Sequence, residues 1–263
     1  LSGQPIDEIR IQLYGQVSLR DFENTFVFES FDFDPIEEEF YELPDPVQYP
    51  QGFYPIDHKL SKPGANYLAG RGINLELAKS YEIYYDIKSK RVIFPVSANG
   101  DLYGWQGRYI YDTTIVFPDK ILEIPKAKTA PNTPRDALFM FYDRLHGSDQ
   151  ACIVEGPCDA IKANLIPGSV CAMGKEVTPL QIQLIRHLGI KKIYLALDPD
   201  AIKSTIKLIG DLDGEFQIYL LSPLPGYKDL GEMNPEQVYQ QYLKAKPVSQ
   251  DRSELVTELC FNF

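Results

Sequence analysis

The sequence predicts an α/β protein: a Rossmann-like parallel sheet preceded by a smaller α+β lobe. Three observations predict it. From Gln150 onward, short apolar runs alternate with helical patterns, the rhythm of a parallel sheet covered on both faces. Before Gln150, two runs of β-branched and aromatic residues meet at the turn signal Asn99-Gly100. The chain of 263 residues, 44% hydrophobic and 12% aromatic, can bury one large core or two smaller ones.

In chain order, residues 1–57 form an acidic N-terminal segment or linker, dominated by FESFDFDPIEEEFYELPDP at 28–46. Carboxylates, aromatics and prolines alternate there, a composition suited to an arm that docks a basic partner rather than to a packed domain. Residues 58–148 form the first lobe. Within it, 64–86 gives a short helix ending near Gly70 and a second starting about Asn74, because apolar positions recur at three and four residues. The stretch 90–112 gives a hairpin, and 118–136, rich in Pro, Lys and Thr, an extended surface excursion. A helix over ALFMFYDRL, 137–145, closes the lobe.

Residues 149–247 form the second domain, and 248–263 a tail too short to be a further module. Its strands are ACIVE (151–155), SVCAM (169–173), KIYLALD (192–198) and EFQIYLL (215–221), with helices over 159–164, 179–188 and 201–209. In such sheets ligands bind beyond the carboxyl ends of the strands. Glu155 ends the first strand and Asp198 the third, so two acids meet at one rim. Pro199 favours an extended path that presents Asp200 beside Asp198. Asp229 and Glu232 follow the fourth strand, and Asp159 stands one helical turn after Glu155.

Several carboxylates without a histidine or cysteine cluster are hard oxygen ligands, suited to Mg2+ or Mn2+. Left alone they repel one another and take up protons. A metal removes that penalty and stabilises charge in phosphoryl transfer, so phosphate chemistry is the natural class. Each acid also has a plainer use: Asp200 can cap a helix, Asp159 can oppose a helix dipole, and Asp229 can serve a turn.

The remaining composition excludes more than it assigns. No apolar run reaches the length that spans a bilayer, and LSGQPIDEIR lacks a signal-peptide pattern, which predicts a soluble, cytoplasmic protein. Cys152, Cys158, Cys171 and Cys260 lack the spacing of a thiolate zinc site and read as reduced, buried thiols. His58, His146 and His187 are scattered. A net charge of −11 argues against a surface coated with nucleic acid but allows a local basic groove. The first residue is Leu, which suggests a fragment with something upstream missing.

The sequence IVEGPCDAI, then ALDPD, then YKDLGEM resembles the TOPRIM domain of topoisomerases, some nucleases and bacterial-type primases. The first lobe chooses among these: YLAGRGINLELAKSYEIYYD, RVIFPVSANGDLYGWQGRYI and PKAKTAPNTP resemble, in order, the RNA polymerase core of DnaG-type primases, phage-encoded ones included. The resemblance covers residues 64–245 or so. It implies synthesis of short RNA primers on single-stranded DNA from nucleoside triphosphates, with Mg2+ or Mn2+, during replication in a bacterial cell or a phage-infected host. It implies metal-binding roles for Glu155, Asp159, Asp198, Asp200 and Asp229, with Glu155 open between ligand and general base. Arg91, Arg108 and Lys126 match positions that contact template, nucleotide or primer, and Lys228 joins them beside Asp229.

The family pattern is not followed throughout. Ile202 stands where a glycine usually follows the Asp-x-Asp, Thr129 replaces an asparagine, and Gly231 replaces an acid that Glu232 could substitute. Such primases also carry an N-terminal zinc-binding domain, and no Cys/His cluster stands here. Few cationic contacts imply a weak grip on single-stranded DNA, so priming would need a replicative helicase tether, and the region after Pro247 is too short for the family's helicase-coupling module. Three alternatives remain open: a TOPRIM nuclease, a catalytically decayed primase-like binding subunit, and a nucleotide-binding regulator.

Overall fold

The computed structural model describes residues 42–116, 121–196, 202–212 and 214–248. Two compact units divide the chain, Leu1–Phe40 and Tyr41–Phe263, and every described residue belongs to the second. The acidic stretch up to position 41, Cys260, Asp198 and Asp200 lie outside the described residues.

The first lobe is built on an antiparallel sheet of five strands, in the order β1 (Phe53–Pro55), β2 (Tyr84–Asp86), β3 (Arg91–Ala98), β4 (Asp101–Tyr109) and β7 (Ala127–Thr129). Asn99 and Gly100 take φ of 54° and 85°, the left-handed pair that a two-residue hairpin needs to match strand twist. β3 is almost wholly buried, as its run Val92, Ile93 and Phe94 demands. Helices α1 (Lys62–Gly70) and α2 (Leu75–Ser80) follow β1. Asn74 caps α2 by accepting from the Leu77 amide at 2.8 Å. α1 lies so close to the sheet that a Cβ at Gly64 would come within 2.8 Å of the Tyr85 ring.

Two expectations change here and a third is refined. β1 falls inside the segment expected to be a linker, yet it pairs with β2. The Pro- and Lys-rich stretch 118–136 is extended and largely exposed as expected, but its strands are paired, β6 (Ile121–Glu123) with the preceding β5 (Thr114–Val116) and β7 with β4. The helix expected over 137–145 does not form. Met140 pairs instead with Cys171 at the edge of the second sheet, Phe141 takes a left-handed φ of 66°, and only Tyr142–Leu145 coils, as a 3-10 turn. The Gln181 side chain donates to the carbonyls of Arg135 and Leu138, both at 3.0 Å, holding this segment extended against the second domain. Apolar periodicity over nine residues is ambiguous when both faces are buried.

The second sheet is parallel, in the order β11 (Gln217–Leu220), β10 (Lys192–Ala196), β8 (Gln150–Val154) and β9 (Ser169–Cys171). Around it lie α3 (Pro157–Lys162), α4 (Pro179–His187), α5 (Ile202–Asp211) and α6 (Pro235–Lys244). α3, α4 and α6 each begin with proline at the first helical position, where a missing N–H costs nothing. Thr178–Gln181 and Asn234–Gln237 add reciprocal capping boxes to α4 and α6.

The chain leaves β8 toward β9 on one side and returns to β10 on the other. The topological switch therefore falls between β8 and β10, the crevice where open α/β sheets bind ligands. Phe141 meets Tyr81 edge to face at 4.6 Å and Arg144 lies 3.7 Å over the Tyr81 ring within the first lobe, while the Tyr81 hydroxyl donates to the Ala160 carbonyl of the second at 3.4 Å.

Candidate active site at the acidic edge of the parallel sheet

Glu155 is half-buried at the carboxyl end of β8, where Val154 pairs with Ala196 of β10. The residue therefore stands at the switch point. Gly156 and Pro157 then turn the chain into α3, placing Asp159 at the third helical position. One carboxylate oxygen of Asp159 accepts from the Gly156 amide at 3.1 Å, the side-chain half of a capping box.

Asp229 arrives from the loop after β11. It caps the 3-10 turn Leu230–Glu232 by accepting from the Glu232 amide at 3.1 Å. Gly231, buried in that turn, lies against both acids: a Cβ built on it would overlap Asp159 Oδ1 and sit 3.2 Å from Asp229 Oδ1. Thus Asp159 and Asp229, 70 positions apart in sequence, share one slot. Glu232 does not enter it. Its Oε2 accepts from the Lys228 amide at 2.8 Å, so it closes its own turn instead of replacing an acid at 231.

Among the described residues no group of three or more His, Cys, Asp or Glu is arranged to hold a metal ion. Asp198 and Asp200, expected to complete the set, lie outside the described residues just beyond β10. The donors present, Glu155, Asp159 and Asp229, are nonetheless all carboxylates, a donor chemistry that fits a hard divalent cation.

The basic residues separate. Arg108, half-buried in β4, acts electrostatically on the Cys158 thiol at the start of α3, and its Nε is buried with no hydrogen-bond partner. It faces the acidic corner. Arg91 does not project into a groove. It is 4% exposed and donates to the carbonyls of Gly107 at 3.0 Å, Lys126 at 3.2 Å and Pro125 at 2.6 Å, with its guanidinium over Tyr109. Burial lowers its pKa, opposed by Tyr109 and Asp86. Lys126 and Lys228 are exposed.

Two cations stand at the corner that the sequence reading passed over. Arg71, at the end of α1, bonds the Cys158 thiol and feels Asp159; burial works against its charge, but these groups and Tyr67 raise its pKa overall. Lys162, 3% exposed on α3, sits beside Gly72, where a Cβ would come within 2.7 Å of its Nζ. Burial lowers its pKa. The only sequence signal was spacing: Lys162 follows Asp159 by three residues on α3, and Arg71 is followed by Gly72, whose φ is 71°. Burial pushes the Cys158 thiol up despite the pull of Arg71 and Arg108.

A mixed α/β core with an antiparallel sheet, a parallel sheet and acids at the switch point defines a class, the catalytic core of DnaG-type primases, whose fold this chain has. The particular likenesses follow. The Escherichia coli primase catalytic core superposes with a TM-score of 0.58 at 17% identity, covering 79% of this chain and 78% of that one. The RNA polymerase domain of Mycobacterium tuberculosis primase DnaG, solved with a double-stranded DNA bearing a 6-nucleotide overhang, gives 0.58 at 14% identity, covering 73% and 76%. In sequence, the DNA primase of Deinococcus radiodurans is 30% identical over 161 residues, 55% of this chain and 26% of that protein. The chain thus spans about a quarter of the length of the curated relative it matches. No family model matches. The resemblance to DnaG-type primases therefore holds in fold and in sequence.

Proposed function

We propose that the chain is the catalytic core of a DNA primase, which makes short RNA primers on single-stranded DNA from nucleoside triphosphates by metal-dependent nucleotidyl transfer. The observation that carries this reading is the fold shared with primase cores, with Glu155 at the carboxyl end of β8 and Asp159 and Asp229 both packed against Gly231. The second domain is read as a TOPRIM domain on the same ground, and the phage-encoded primases are included among its kin.

Glu155, Asp159 and Asp229, with Asp198 and Asp200, would hold Mg2+ or Mn2+. When bound, such an ion supplies Lewis-acid stabilisation of charge on the reacting phosphate. The chain's own residues do the rest. Arg108 would bring a half-buried guanidinium to a phosphate oxygen, in a setting where a partly desolvated charged donor is worth more than in water. Arg71 places a second guanidinium at the same corner. Lys126 and Lys228, both exposed, meet template or triphosphate by long-range attraction. Arg91 sets the geometry from behind, by docking β7 onto β4 next to Arg108. Glu155 would act as general base on the attacking hydroxyl, or join the ligand set.

DNA template, triphosphates, RNA primer and a replicative helicase are the partners of this reading. The Mycobacterium structure holds DNA, and a second DnaG catalytic domain was solved bound to single-stranded DNA, which supports the template. Among the described residues no helix is long and apolar enough to cross a membrane.

The test is de novo synthesis of labelled RNA on single-stranded DNA with Mg2+ or Mn2+, comparing this chain with the Asp198→Ala/Asp200→Ala variant. Oligomers that disappear in the variant support the reading. Cleavage of the DNA without triphosphates moves it to a nuclease, and template binding with neither activity to a decayed binding subunit.

A further inference from the structure

We propose that the apolar stripe Tyr239–Leu243 of α6, with Tyr219 on the outer strand beside it, is a docking face whose occupant is this chain's own C-terminal segment, residues 251–263. This docking does not depend on the chemistry at the acidic edge. α6 is apolar over a wider arc than the core uses. Val238 is fully buried, and Tyr242, four residues on, donates its hydroxyl to Gln150 Oε1 at 3.1 Å. Tyr239 and Leu243 form the next stripe of the same helix, Tyr239 half-buried and Leu243 57% exposed. The stripe is continuous with the sheet. Tyr239 stacks on Tyr242 at 5.6 Å, Tyr242 lies 4.8 Å from Tyr194 of β10, and Tyr194 stacks on Tyr219 of β11, the outer strand, at 4.4 Å. A run of aromatic and aliphatic surface of this kind marks an interaction site.

The path of the chain says what covers this face. After α6 the backbone turns back, Pro247 pairs antiparallel with Tyr219, and the Val248 amide donates to the Ile218 carbonyl at 2.8 Å. The chain is therefore delivered to the face three residues before Asp251. Asp251 followed by Glu254 is a helix-start signal. From there Leu255, Val256, Leu259, Cys260 and Phe263 recur at helical spacing and share one face, from which Phe261 alone of the apolar residues departs. The thirteen residues 251–263 make a helix of about 20 Å, marginal by itself in water, so its apolar side needs a surface to lie on. Charge agrees with this surface. The segment carries Asp251, Glu254 and Glu258 against Arg252, while Lys244 and Lys246 are exposed at the end of α6.

The experiment is alkylation of the native full chain by iodoacetamide at about pH 8, with the rate at Cys260 read by peptide mass analysis against a synthetic peptide of residues 249–263. The expected result is labelling about tenfold or more slower in the chain than in the peptide. Leu243→Arg on the face and Leu259→Arg on the segment should each restore the peptide's rate. Combining them should add little, since both break one contact. Leu75→Arg, at another exposed leucine in the first lobe, should leave Cys260 protected. Cys152 and Cys171, both buried, should stay unlabelled throughout, which establishes that each variant folds. A wild-type chain whose Cys260 reacts within about twofold of the peptide overturns the inference, as does protection that a folded Leu243→Arg chain retains. Protection that disappears on dilution, with a dimer's mass in sedimentation, gives the face to a second copy and overturns it as well. If Leu243→Arg does not fold, Tyr239→Arg reads the same stripe and decides the matter.

Discussion

In the antiparallel sheet Arg91 is buried and its guanidinium is taken up by three main-chain carbonyls, whereas at the edge of the parallel sheet Asp159 and Asp229 both pack against one glycine. The first arrangement converts a charge into a brace, because a buried cation must find acceptors and strand-edge carbonyls supply them. The second brings two carboxylates against one glycine, an arrangement whose mutual repulsion a bound cation would relieve. Arg91 and Arg108 make the contrast within one sheet. They lie on adjacent strands, with Val92 paired to Arg108, yet one is satisfied by the backbone and the other keeps a buried Nε without a partner. Location on the sheet, more than residue type, separates bracing from binding.

The largest effect expected of any single change is at the acids. Asp159→Asn keeps the shape of the side chain and removes its charge, and primer synthesis should fall by about 100-fold or more while the melting temperature holds or rises. A fall in activity matched by unfolding would put Asp159 with Arg91, as a brace, and erase the contrast.

Crossing the two arginines comes next. Arg91→Met should destabilise the fold by about 3 kcal/mol, since it strands several buried carbonyls, read as a lower urea midpoint. Arg108→Met should leave the midpoint nearly fixed and weaken triphosphate or template use about tenfold, read in KM. The reverse pattern would assign their roles the other way round.

Lys162 tests the cost of a buried charge with a smaller effect. Its folded pKa is lowered by burial, so below that value both folded and unfolded chains carry the proton and the penalty is fully present. As pH rises from the lowered pKa toward the ordinary lysine value the unfolded chain holds more protons and stability climbs. Lys162→Met should therefore stabilise the protein at pH 7 by about 1 kcal/mol, and the gain should shrink toward pH 10. An unchanged or lower midpoint at pH 7 would show that Cys158 and Glu236 offset the burial and the nearby Arg71 charge.

The mildest prediction concerns thiols. Burial pushes Cys152 up to about 12 and Cys171 higher, while Arg71 and Arg108 pull against the rise at Cys158. In the native chain at pH 8, iodoacetamide followed by peptide mass analysis should label Cys158 ahead of both. Labelling of Cys152 first would mean the parallel sheet opens before the corner does.

Much of this was legible in the chain itself. The strand–helix alternation after Gln150, the Asn99-Gly100 turn and the placement of Glu155 at the end of an apolar run follow from local rules, because periodicity, turn chemistry and strand ends are written over a few residues at a time. The failures are as local in origin. ALFMFYDRL reads as a helix until Cys171 offers Met140 a strand partner, and the Lys-rich stretch around 118–136 reads as loop until Arg91 reaches the carbonyls of Pro125 and Lys126. Arg91 and Arg108 look equivalent in sequence, and Gly231 looks like a missing acid. Sequence alone determined a parallel sheet beside a small α+β lobe, with Glu155 at the carboxyl end of its first strand, since a residue's distance from its own strand end is a short-range fact. Which cation is spent on the backbone and which two aspartates come against one glycine were decided only by tertiary structure, because those relations join residues tens of positions apart.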